Sequence, residues 1–91
     1  MAKDKKPKRH WNYRVMAFDN PVNDEIFFEI REMHYENKKP TAYSSTAARV
    51  GGESLADFNF VLKFMKAALK KRIIWAGDKF PKRYKGSLKK R

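Results

Sequence analysis

The sequence predicts an α+β domain of β-β-β-α order: a three-stranded antiparallel meander, one amphipathic helix packed across one face, and basic flexible tails. Three observations carry this expectation. The first half of the chain alternates apolar and polar residues with the period of a strand. After Gly51-Gly52 the spacing switches to three and four, the period of a helix. Charge is segregated: residues 1–10 sum to +4, residues 11–62 to −3 and residues 63–91 to +11. The expected boundaries are a tail over 1–10, a domain over 11–77 and a second tail over 78–91.

Trp11 to Phe18 alternates cleanly and reads as the first strand. The turn formers from Asp19 to Asp24 end it. Glu25 to Glu36 is the second strand, with Ile26, Phe28 and Ile30 on one side. Met33 and Tyr35 fall out of that phase, which calls for either a bulge or partial cover on both faces. Asn37-Lys38-Lys39-Pro40 reads as a hairpin turn, and Thr41 to Ala48 as a small, polar edge strand. Ser54 is a suitable N-cap with Asp57 three residues on. Leu55, Phe58, Leu62, Met65 and Leu69 then form an apolar stripe, widened by Val61 and Ala68. Lys66, Lys70, Lys71 and Arg72 follow, where cations complement the helix dipole, and Gly77 is the expected stop.

The residues Tyr13-Arg14-Val15, Glu25-Ile26, Tyr35 and Gly52-Glu53-Ser54-Leu55 carry a resemblance to short uncharacterised bacterial and phage proteins with a HicB-antitoxin-like domain. The resemblance spans roughly residues 11–70 and implies a β-β-β-α module. HicB-type antitoxins usually add a C-terminal DNA-binding domain, for which the residues after Gly77 leave no room, and the Pro-Gly pair of their second strand is missing here. Antitoxin activity is therefore not part of the expectation.

Composition narrows the chemistry. Ninety-one residues allow one modest core and little room for a deep substrate cavity. With no cysteine, disulfides and thiolate metal sites are excluded, and the chain suits a reducing, cytoplasmic setting. No apolar run is long enough for a membrane span. His34 lies between Glu32 and Glu36 at alternate positions, an ordinary solvent face of a strand with no third metal ligand in view. Ser44, Ser45 and Thr46 have no base partner, and Gly51-Gly52 lacks the Lys-Ser/Thr ending of a P-loop. The expectation is a non-enzyme without cofactor or metal.

The basic ends are the functional signal. Lys5, Lys6, Lys8 and Arg9 at one end join Lys70, Lys71, Arg72, Lys79, Lys82, Arg83, Lys85, Lys89, Lys90 and Arg91 at the other as candidate phosphate contacts. Tyr84, set among Lys82, Arg83 and Lys85, is either a base-stacking ring or a hydrophobic seal. Trp75, following Ile73-Ile74, reads as a residue that folds back on the sheet. The expected partner is nucleic acid, DNA or RNA, or a ribonucleoprotein, bound with little sequence specificity. The alternative is a regulatory or inhibitory module docking on an acidic protein through its edge strand or an open sheet face bearing Phe27, Met33 and Tyr35.

Overall fold

The computed structural model describes residues 6–20, 22–23 and 25–85. Two long strands form its spine: β1 (Arg9–Asn20) and β2 (Glu25–Glu36) pair antiparallel in unbroken register from Arg9 against Glu36 to Asn20 against Glu25. Asn37 and Lys38 both take positive φ, 51° and 71°, the backbone of a two-residue hairpin turn whose twist suits the strands it joins. β3 (Lys39–Tyr43) returns along β2, with a register shift between His34 and Tyr35. The chain then follows the edge of β2 irregularly: the Ser44 amide donates to the Glu32 carbonyl and the Ala48 amide to that of Ile30.

The helix α1 (Leu55–Lys66) starts where the capping pattern places it, the Ser54 hydroxyl accepting from the Asp57 amide at 3.1 Å. Gly52 has a packing reason: a Cβ there would lie 2.6 Å from Cβ of Asp57 and 2.8 Å from the Phe58 nitrogen. α1 ends well before Gly77, passing into a 3-10 turn over Ala67–Lys70. β4 (Ile74–Trp75) then lies parallel to β1, giving a mixed sheet of order β3-β2-β1-β4. Beyond a 3-10 turn at Gly77–Lys79 the chain doubles back beside β4, through an antiparallel bridge between Ile74 and Arg83.

The α+β class holds, and three finer expectations need correction. The sheet is not a three-stranded antiparallel meander, because the fourth strand is parallel and comes from beyond the helix. β1 begins at Arg9, inside the segment expected to be a tail. Residues 78–85, expected to be flexible, fold back on the sheet, with Phe80 packed against the core.

Alternation along the strands assigns the faces. Met16, Met33 and Tyr35 share one face with Ile74, and Phe18, Tyr43, Ala76 and Phe80 close over them. Met33 and Tyr35 are thus out of phase with Ile26 and Phe28 because both faces are covered in part. The opposite face carries Trp11, Tyr13, Val15 and Ala17, and Phe64 meets Trp11 and Tyr13 there edge-on. Of the expected helix stripe and the positions that widen it, only Met65 and Ala68 are buried; Leu55 is 79% and Leu69 is 69% exposed.

Candidate nucleic-acid interface

Arg14 is the pivot of the site. It sits on the core-facing side of β1, where alternation alone would place an apolar residue. Its Nη1 donates to the Tyr35 hydroxyl at 2.8 Å, which in turn donates to Oδ1 of Asn12 at 2.9 Å. Its Nη2 donates to the Arg72 carbonyl at 2.5 Å. This last bond ties the end of the 3-10 turn to β1 and fixes where the run Lys70-Lys71-Arg72 leaves the helix. Nε of Arg14 is buried without a partner among the described residues. The His10 ring lies flat on Tyr35, centroids 4.5 Å apart.

Around this pivot is a cleft of about 530 Å³ whose charged lining, among the described residues, is basic: Arg14, Lys38, Lys70, Lys71, Arg72 and Arg83. Tyr35, Pro40, Ile74 and Pro81 supply the rest of its wall. A second concavity of about 660 Å³ adjoins it, sharing Arg72 and Arg83 and adding Trp75, Lys82 and Lys85. Among the described residues, neither is lined by a carboxylate. In such a concavity like charges reinforce one another's potential, and an anion meets several donors at once.

Eleven of the residues singled out from sequence are described, in four settings. Lys70, Lys71, Arg72, Lys82, Arg83 and Lys85 line the two concavities. Lys6, Lys8 and Arg9 are exposed at the start of β1, near the turn that carries Lys38: the Lys8 amide donates to Oδ1 of Asn37, and Arg9 pairs with Glu36 at 3.5 Å. Lys79 instead sits with its ammonium 4.2 Å from the centroid of the Trp75 ring. Tyr84 meets Trp75 and Phe28 edge-on, at centroid distances of 5.1 and 5.5 Å, in the role of a seal. Lys5, Lys89, Lys90 and Arg91 lie outside the described residues.

Two lining residues, Arg14 and Lys38, were missed. A cation in the middle of an alternating strand was the available signal for Arg14; Lys38 is a turn residue brought in only by the hairpin. The open sheet face proposed for a protein partner does not exist as expected, since Met33 and Tyr35 belong to the core and only Phe27 is exposed. Among the described residues no group of three or more His, Asp or Glu could hold a metal ion, and no helix is long and apolar enough to cross a membrane. Tyr13 is the one described group with a clear pKa displacement: burial first, then the charge of Glu32, raises its phenol above the usual range. No family model matches the chain, and neither a curated protein nor a solved structure matches it significantly.

Proposed function

We propose that this chain is a non-enzymatic nucleic-acid-binding accessory protein that grips the phosphate backbone with little sequence specificity, in a reducing compartment such as the cytoplasm. The observation that carries the reading is the pair of adjoining basic concavities joined by Arg72 and Arg83. Lysine and arginine there would neutralise phosphates and release counterions, and Arg14, held by Tyr35 and the Arg72 carbonyl, would present a fixed rather than a searching charge. Phosphate contacts of this kind position a strand and do not read its bases. Tyr84 is engaged with both Trp75 and Phe28, so affinity falls to the cations rather than to stacking.

The test is a fluorescence-anisotropy titration of duplex and single-stranded oligonucleotides of unrelated sequence across a salt series. If about six phosphates are met, log K against log salt should fall with a slope of about −5 on duplex and about −4 on single strands. Arg72→Ala with Arg83→Ala should flatten that slope by about two contacts. Absence of binding at low salt, or binding indifferent to salt, would overturn the reading.

The second reading, docking on an acidic protein, draws on the exposed Phe27 stacked on Phe18 at 5.3 Å near the far end of the β1–β2 hairpin, and on the free edge of β3. Salt-tolerant capture of a protein partner, lost on Phe27→Ala and kept in the Arg72/Arg83 double variant, would favour it.

A further inference from the structure

The six basic side chains of the first cleft converge from four separate segments: β1, the β2–β3 turn, the run from Lys70 to Arg72, and the returning chain that holds Arg83. None of them pairs with a carboxylate among the described residues, where the ion pairs join Arg9 to Glu36, Arg31 to Glu29 and His34 to Glu32. Arg14 is the least free of the six to turn away. Two of its five N–H donors are spent on the Tyr35 hydroxyl and the Arg72 carbonyl, and Nε is buried without a partner among the described residues. Like charges gathered around one concavity repel one another, which raises the energy of the empty folded state. An anion seated among them offsets that repulsion.

The charge of that anion decides which part of a nucleic acid fits best. A phosphodiester within a strand carries one negative charge, and successive ones are spread along the backbone. A terminal phosphomonoester carries about −1.5 to −2 at pH 7, with three acceptor oxygens on one phosphorus. Convergent cations favour the second, because each added unit of ligand charge is attracted by all of them at once. Arg72 and Arg83 then lead into the second concavity, with Trp75, Lys82 and Lys85, so the phosphates behind the terminal one also meet cations. A single strand can turn from one concavity into the next. A duplex, with a persistence length of about 50 nm, is too stiff to do so. Resting on the nucleic-acid reading above, we propose that the first cleft receives the terminal phosphate of a single strand, whose following nucleotides run through the second concavity.

The test uses single strands of one unrelated sequence, labelled at an internal base, that differ only in their ends: phosphate at the 5′ end, phosphate at the 3′ end, or hydroxyl at both. In fluorescence anisotropy at fixed salt, at least one phosphorylated strand should bind about tenfold more tightly than the hydroxyl strand, the order of one charge-assisted contact. The end that gains shows which way the strand runs. Lys38→Gln with Lys71→Gln, both exposed and both in the first cleft alone, should reduce that preference to about twofold or less. Lys82→Gln, exposed and in the second concavity alone, should weaken all three strands together and keep their ratio. Circular dichroism of these variants should match wild type, because none of the three positions is in the core. A nucleoside monophosphate, which cannot fill the second concavity, should displace the phosphorylated strand far less well than the same strand unlabelled. Equal binding of the three strands, an end preference that survives the loss of Lys38 and Lys71, or a mononucleotide that competes as well as the strand would each overturn the inference. Salt-dependent binding that ignores the ends overturns this inference and leaves the backbone grip standing; no binding of any strand at low salt overturns both.

Discussion

The helix α1 and the segment from Ile73 to Lys85 have exchanged the roles that their compositions suggest. α1 has the strongest periodicity in the chain and a working N-cap, yet it buries little beyond Met65. The later segment is crowded with lysine and arginine, yet Ile74 is 6% exposed in the core and Phe80 closes over it. Amphipathicity shows that a face seeks cover without saying what supplies it. A basic segment can still anchor a core if a few apolar residues sit at the right offsets, because long cationic side chains reach water from almost any backbone position.

Stability measurements sharpen this contrast. The largest effects should come from the core: Met33→Ala or Ile74→Ala should cost about 2–5 kcal/mol in a urea titration, since each leaves a cavity that the long strands cannot collapse into. Equal tolerance at Ile74 and at Leu55 would break the comparison. The same logic bears on truncation. Removing residues 78–91 deletes Phe80 and so tests folding together with binding; removing 86–91 leaves the described domain whole.

Ser54→Ala should cost about 1 kcal/mol, the usual value of a lost N-cap, because its hydroxyl accepts from the Asp57 amide. Leu55→Ala, one residue on, should change stability by less than about 0.5 kcal/mol. The mildest effect belongs to Tyr13. Its phenol titrates above the usual range, so the folded chain keeps a proton that the unfolded chain has released. Stability should be constant below the ordinary tyrosine pKa and fall as pH rises through the folded value; Glu32→Gln should reduce the displacement, read by ultraviolet titration.

Much of this was legible locally. The strands β1 and β2, the turn at Asn37-Lys38 and the Ser54 cap follow from patterns a few residues long, because backbone dihedrals and nearest neighbours decide them. The basic character of Lys70-Lys71-Arg72 and Lys82-Arg83 needed only counting. That these two runs share a wall did not. It depends on the Ile74–Arg83 bridge and on Arg14 reaching the Arg72 carbonyl across 58 positions of sequence. Tyr84 shows the same limit: the lysines around it suggest a ring open to a base, and its true neighbours, Phe28 and Trp75, are set by the sheet.

By itself, the sequence determined the α+β class, two long strands, a capped helix, the absence of any thiolate site and the segregation of charge. Tertiary structure alone decided that β4 pairs parallel with β1, that Met33 and Tyr35 are core, and that Arg14 and Lys38 join the basic cleft. The division has one cause. Local propensity and periodicity act over a few residues, whereas pairing a two-residue strand across the chain is decided by which apolar groups it buries, Ile74 on Met16 and Phe80 over both, and that energy exists only once the distant segments have met.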